Sequence, residues 1–311
     1  MKIAIIGAGL SGLVCADALI GAGHQVRLFD KARGPGGRMS TRRAQTAAGE
    51  LRFDHGAQYF TARAPGFQAV VEQWQENELA AKWPAAGDEA WVGTPSMNTP
   101  VKAMATHHDV TWSMRIESLV KQQDHWQIHG EDGSLEILFD AAVIAVPAEQ
   151  AADLLDPLHS RFADTARSTV SDPCWTVMLA FAEPLATDIR ILKDRGAIGW
   201  AARNSDKPMR EGADSWVIQG SPDWSRDHLE DDPEQVCEAL VKEFTNNLAM
   251  ELPEPIHAAA HRWRYARSGS AGVEALYDNE AKLGACGDWL LGPRIECAWL
   301  SGNALSQMML G

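Results

Sequence analysis

The sequence is short of the features that mark several large classes of protein. Its five cysteines, Cys15, Cys174, Cys237, Cys286 and Cys297, are odd in number, scattered through 311 residues and never spaced as Cys-x-x-Cys. Neither a disulfide framework nor a zinc site is signalled, and reduced thiols in a cytoplasmic protein are expected. Basic charge is also scarce. Lys and Arg number 28 against 42 Asp and Glu, a net charge of -14, which argues against a nucleic-acid partner because phosphate-backbone binding needs clustered cations. No apolar run has the length of a membrane span, so no membrane partner is expected. The run from Ile3 to Leu13 is broken by Gly7, Gly9 and Gly12 and lacks a processing site, so it belongs to the fold and not to a signal peptide. Metal-ligand spacing, a nucleophile elbow and a Ser-His-Asp constellation are missing too. Tyrosine is rare, three against twelve tryptophans, and most of those tryptophans sit singly in apolar segments where core packing is expected.

What is present starts at the first residues. Lys2 to Ile6 is a short apolar run closed by Gly7, and Leu10 to Ile20 carries apolar residues at helical spacing until Gly21 and Gly23 stop it. Gln25 to Asp30 follows as a second strand. Strand, tight turn, helix and strand predict a βαβ unit with a parallel sheet. Gly7, Gly9 and Gly12 supply its G-x-G-x-x-G turn: the first permits the bend, the second lets backbone approach a pyrophosphate, and the third lets helix meet strand. The helix opens at Leu10 and Ser11, whose position at its positive end suits phosphates. Asp30, 18 residues after Gly12, can accept hydrogen bonds from an adenosine ribose, with Lys31 beside it. Its charge disfavours the 2′-phosphate of NADP. These residues do not distinguish NAD from FAD.

Further along, a loop rich in Gly and Arg (33–43) precedes a helix predicted from Pro65 to about Trp83, with Phe67, Val70, Val71 and Trp74 on one face. "VTWSMRIESL", "HWQIHGEDGSLEILF" with its Asp132-Gly133 hairpin signal, and "AAVIAVP" predict a small meander returning to the parallel sheet. "CWTVMLAFA", "AIGWAAR", "SWVIQG" and "IHAAAHRWRYA" have the texture of an antiparallel sheet, and Val236, Leu240, Phe244 and Leu248 form the apolar stripe of a helix over "PEQVCEALVKEFTNNL". "AKLGACGDW" is a strand and "ECAWLSGNALSQMML" a closing helix, expected to be clipped or frayed at "SQMMLG".

"RGPGGRMSTR" places Gly36, Gly37 and Arg38 just after the second strand. This is similar to flavin enzymes of the amine-oxidase type, whose Gly-Gly-Arg backbone passes the cofactor's diphosphate, with Met39 next in line. "GACGDWLLGPRIECAWLSGNAL" resembles the closing segment of the same superfamily. "FDHGAQYFTAR", "HRWRYA" and "CGDWLLGPRIECAWLSG" together resemble the renalase family, in its bacterial members, over essentially the whole chain. The resemblance implies an α/β fold: a Rossmann-type FAD-binding domain with a parallel sheet (1–62, 108–155 and 268–311), plus an inserted α+β substrate domain with an antiparallel sheet (63–107 and 156–267). It implies noncovalent FAD, since Cys286 lacks a flavinylation context. Asp288 is then placed at the ribityl or pyrophosphate region, and a helix starting near Ile295, Glu296 and Ala298 is aimed at the flavin pyrimidine, where its N-terminus would stabilise the anionic reduced flavin. Asp54, His55, Gly56, Ala57 and Ile116 complete the implied cofactor contacts.

The implied reaction is oxidation of 1,2- and 1,6-dihydropyridine isomers of NAD(P)H to NAD(P)+, with dioxygen reoxidising the flavin to hydrogen peroxide. A dihydropyridine donates hydride readily, so no protein acid or base is assigned as catalytic. Tyr59 and Trp263 fall in motifs that resemble the family's flavin-facing pocket. Gln58 and Ser96 are candidates for amide contacts. Arg262 and Arg264 share one face of a strand, and either a substrate phosphate or a salt bridge accounts for them. His107 and His108 are expected to face solvent. A flavin-containing amine oxidase and a flavin-binding module without turnover are the alternatives.

Overall fold

The structure is a computed structural model describing residues 1–46, 48–131 and 133–311. Its central sheet has six strands in the order Leu276–Asp278, Leu283–Ala285, Ala141–Ile144, Lys2–Ile6, Gln25–Phe29 and Val110–Thr111. Only the first pair is antiparallel. Ile3, Ala4, Ile5 and Ile6 are all buried, as is every residue of Ala141–Ile144, the continuous apolar pattern of strands covered on both faces. The helix Leu10–Gly21 covers one face together with the closing helix Ile295–Leu310. The two helices pack so tightly that a Cβ on Gly302 would lie 2.3 Å from the Ser11 carbonyl oxygen. The closing helix is unfrayed: it runs to Leu310, anchored by buried Leu305 and Met309.

The expected meander returns to the parallel sheet at Ala141–Ile144, but its first segment is split between two sheets. "VTWSMRIESL" divides at Ser113, where φ is 58°. Val110–Thr111 pairs with Gln25–Phe29, while Ile116–Gln122, His125–Gly130 and Gly133–Phe139 form a separate three-stranded antiparallel sheet. Gly133 has φ of 109°; Asp132, the first residue of the expected hairpin signal, lies outside the described residues.

The helix expected from Pro65 to about Trp83 ends at Glu76. Asn77 caps it, and Glu78 turns left-handed at φ 60°. Buried Ala80 and Trp83 continue the apolar pattern from a short hairpin, Ala80–Lys82 with Trp91–Gly93, so periodicity alone overran the stop. The Arg-rich loop holds a hairpin that its polar composition concealed, Arg42–Thr46 with Gly49–Phe53; in its second strand only Leu51 and Phe53 are buried.

The second large sheet is antiparallel, in the order Ile191–Arg195, Ile198–Arg203, Asp214–Gly220, Asp172–Phe181 and His257–Arg267. Trp175, Val177, Leu179 and Phe181 point to one face and pack with Trp216 and Ile218 against Val236, Leu240, Phe244 and Leu248 of the helix Pro233–Leu248. On the opposite face Met178, Ala180 and Val217 meet Leu51 and Phe53. The rest of that face turns towards the glycine turn of the first sheet. Among the described residues no helix is long and apolar enough to cross a membrane.

The glycine turn predicts a stability difference. A Cβ on Gly12 would sit 2.1 Å from the Gly7 carbonyl oxygen, whereas one on Gly21 meets nothing within 4 Å. Gly12→Ala should lose about 1–3 kcal/mol through overpacking, while Gly21→Ala should be neutral or stabilising by about 0.4–1 kcal/mol. Thermal unfolding of the two variants checks this.

Candidate active site

A cavity of about 1710 Å³ lies between the glycine turn and the antiparallel sheet. That exceeds the roughly 300–1,000 Å³ of an ordinary ligand pocket, so it has room for a cofactor and a second molecule. At one end, Gly7 adopts φ 108° with the Ala145 carbonyl 2.3 Å from its would-be Cβ, while Gly9 has open space at that position. Gly9 caps the helix without a side chain, so the first helical N–H groups near Leu10 and Ser11 are free for an anion. Gly12 is not in the cavity wall and serves helix–strand contact. Asp30 accepts from Ala8 N and Ala32 N, each at 2.8 Å, and keeps lone pairs for ribose hydroxyls. Lys31 Nζ donates to Gln150 at 2.7 Å.

The second glycine pair lies over the first. Gly36 and Gly37 have φ of 136° and 51°, and a Cβ on Gly37 would lie 3.9 Å from the Gly9 Cα. Arg38 Nη2 meets Asp288 Oδ1 at 2.5 Å, and its buried Nη1 has no partner. Glycine backbone, unclaimed amides and an unsatisfied guanidinium nitrogen together fit a dinucleotide's diphosphate. Met39, Ile116, Ile295 and Ala298 add wall surface.

The segment from His55 to Tyr59 forms the facing wall. Gly56 is required there, because a Cβ would lie 2.0 Å from the Arg38 carbonyl oxygen, and Ala57 N donates to that same oxygen at 2.9 Å. Trp263 Nε1 donates to the His55 carbonyl at 2.9 Å, and its ring lies 4.9 Å from the His55 imidazole. Burial first, then the neighbouring His261 and Arg42, push His55 down to about 3, so its ring is neutral. Tyr59 packs against Trp200 at 5.4 Å.

Several expected contacts are placed elsewhere. Asp54 is fully buried outside the cavity wall, accepting from Thr41 Oγ1 at 2.8 Å, Met97 N at 2.9 Å, Arg210 Nη2 at 2.6 Å and Lys207 Nζ at 3.3 Å. Burial alone would raise its carboxyl, but the Lys207 and Arg210 charges outweigh burial and hold it well below the usual carboxylate range. Burial pushes Lys207 down to about 8. Glu296 also misses the cavity: its Oε1 accepts from Arg63 N and Ala64 N, each at 2.6 Å, and its Oε2 meets Arg294 at 2.8 Å. Ser96 is held by Asn98 and Thr99.

Gln58 borders the cavity, yet its amide bonds Gly56 O at 3.0 Å, the Asp54 carbonyl and Lys207. Arg262 points away from Trp263, as alternation along a strand requires. It bonds the Leu229 carbonyl at 2.7 Å and Glu230 at 2.9 Å, while Arg264 meets Glu230 at 2.7 Å; the salt-bridge reading is the one the structure supports. His108 does not face solvent, its buried ring meeting Asp17 at 2.8 Å.

Four wall or support residues carried no sequence signal: Lys207 and Arg210 in a polar loop, and Trp200 and Gln219 on strands. Gln219 Nε2 donates to Gly56 O at 2.8 Å.

A parallel sheet with a glycine turn under an antiparallel roof defines a two-part dinucleotide-dependent oxidoreductase. The NAD(P)-binding Rossmann-like domain pattern matches residues 5–74, and that of flavin containing amine oxidoreductase matches residues 84–284. The chain belongs to the flavin containing amine oxidoreductase family, and its cofactor is FAD. Its fold is similar to putrescine oxidase bound to putrescine (TM-score 0.76, 12% identity, 100% of this chain and 99% of that one). It is also similar to cyclohexylamine oxidase from Brevibacterium oxydans IH-35A (0.73, 11%, 99% and 98%) and a protein described as a protoporphyrinogen oxidase from Exiguobacterium sp. 255-15 (0.74, 9%, 99% and 98%).

Two expectations follow. Asp54→Asn leaves Lys207 and Arg210 buried without a counter-charge and should lower stability by about 3–5 kcal/mol, read by chemical denaturation at fixed FAD. Lowering the pH should also destabilise the protein. His55 is neutral when folded and takes a proton when unfolded, so between its ordinary value near 6.5 and about 3 stability rises with pH and is lost as pH falls. His55→Asn should flatten that part of the pH dependence of thermal unfolding.

Proposed function

We propose that this flavoprotein is an oxidase of the renalase type, acting on 1,2- and 1,6-dihydro isomers of NAD(P)H with FAD held noncovalently. The observation that carries this reading is the charge of the cavity. In a chain of net charge -14, its wall holds more Lys and Arg than carboxylates: against Asp30, Glu117, Asp153, Asp194 and Asp288 it sets eleven cations, of which Arg33, Arg42, Arg63, Lys193 and Arg267 have no carboxylate partner among the described residues. Such a wall attracts the phosphates of a dinucleotide and repels an ammonium. The motifs "FDHGAQYFTAR" and "HRWRYA", far apart in sequence, both contribute to it.

When bound along the Gly7–Ser11 turn and Gly36–Arg38, FAD would supply a hydride acceptor that dioxygen could reoxidise, with hydrogen peroxide as the product. The chain's part is positioning. Gly56 and Ala57 present backbone without bulk; Trp263, Tyr59 and Trp200 offer flat apolar surface to a planar ring. The substrate ring loses hydride and becomes a pyridinium, so no proton has to be removed from it. Neutral His55 adds no charge against that product. The N-terminal turn of Ile295–Leu310 faces the cavity through Ile295 and Ala298, where its dipole favours negative charge.

Anaerobic stopped-flow mixing with separated donors tests the proposal. Flavin bleaching should be fast with the 1,2- and 1,6-dihydro isomers and slower with 1,4-NADH, on the order of a hundredfold for a donor carbon misplaced by about 1 Å. The family match favours one rival, an amine oxidase. Rapid bleaching by putrescine or a simple monoamine, with no response to any dihydronicotinamide, would decide for it.

A further inference from the structure

We infer that Lys193 is the side chain that takes the substrate's diphosphate, holding it at one end of a row of residues that crosses the antiparallel sheet. The inference rests on the cavity being a dihydronicotinamide dinucleotide site. In the sheet register Lys193 stands opposite Trp200, Trp200 opposite Gln219, Gln219 opposite Thr176, and Thr176 opposite His261. Directly opposed residues share a face, so the five form one line on the cavity side.

Gln219, in the middle of that line, meets the wall that would face the flavin, because its Nε2 donates to Gly56 O at 2.8 Å. Lys193 lies two strand spacings away, about 10 Å. A nicotinamide ring is separated from its diphosphate, across one ribose, by a distance of that order. Trp200 and Tyr59, 5.4 Å apart, occupy the interval and supply apolar surface for the ring and sugar.

The Lys193 ammonium sits 4.9 Å from the Trp200 ring centroid and has no carboxylate partner among the described residues. Its stem is therefore held while its donors stay open to an anion. Arg262, the sequence's own candidate for this role, is occupied by Leu229 and Glu230. Asp194 follows Lys193 at the cavity wall with φ 51°, and its charge opposes the same ligand.

The test uses FAD-loaded protein and two readouts. Calorimetric titration with ADP-ribose, which carries the diphosphate but no nicotinamide, should show about tenfold weaker binding for Lys193→Ala, most of it restored in Lys193→Arg, and tighter binding for Asp194→Asn. In flavin reduction by 1,6-dihydro-NAD, Lys193→Ala should raise the apparent KM by a similar factor with the limiting rate unchanged. With the phosphate-free dihydronicotinamide riboside, both parameters should stay as in the wild type. Unchanged ADP-ribose affinity, or an equal KM rise for the riboside, overturns the assignment. Wild-type protein unreduced by every dihydronicotinamide would overturn the proposed reaction instead, while the ADP-ribose difference would still report the anion site.

Discussion

The buried Asp54 carboxylate, held between Lys207 and Arg210, is the constraint on which the site depends. Its two oxygens tie its own segment to three other parts of the chain: Thr41 after the Gly-Gly-Arg segment, Met97 before the helix Thr99–Ala105, and the 207–210 loop with its two cations. The next residue is His55, so the loop that faces the cavity is suspended directly from this cluster. A buried ion pair of this kind adds little net stability compared with well-packed apolar residues, but removing one partner is costly. Its value lies in geometry. Its donors converge from separate segments, and beside them Gly56 lies against Arg38 and Trp263 against His55.

The cavity wall depends on that geometry at both ends. On the side of the glycine turn the wall is built of backbone amides and glycines, Gly37 lying against Gly9. On the sheet side it is built of side chains arrayed by strand register. Several cations without a carboxylate partner, Arg33, Arg42, Arg63, Lys193 and Arg267 among them, stand on this wall, while two others on it are neutralised within the protein, Arg38 by Asp288 and Arg294 by Glu296. This sorting leaves positive potential where phosphates would sit, and a pocket walled by low-dielectric protein strengthens the effect.

Much of the fold was legible in the sequence. The βαβ opening, the closing helix and the stripe of the helix Pro233–Leu248 follow from periodicity and glycine placement, which act over a few residues. The failures share a cause. The overrun past Glu76, the concealed hairpin at Arg42–Thr46 and the pairing of Val110–Thr111 with Gln25–Phe29 all turn on which distant surface a short segment covers, and local pattern does not encode that. Asp54 and Glu296 fall in motifs whose pattern points to a cofactor, yet both carboxylates are taken by protein partners outside the cavity wall.

By itself the sequence determined the dinucleotide turn, the Gly-Gly-Arg segment and the two-sheet architecture, because glycine conformation and apolar periodicity are properties of the local backbone. Tertiary structure alone decided the occupants of the cavity wall: that Lys207 pairs with Asp54, that Gln219 reaches Gly56, and that Lys193 keeps an open ammonium while Arg262 does not. The reason is physical. A charged side chain acquires its role from the partner that neutralises it or leaves it free, and those partners are set by contacts between residues far apart in the chain.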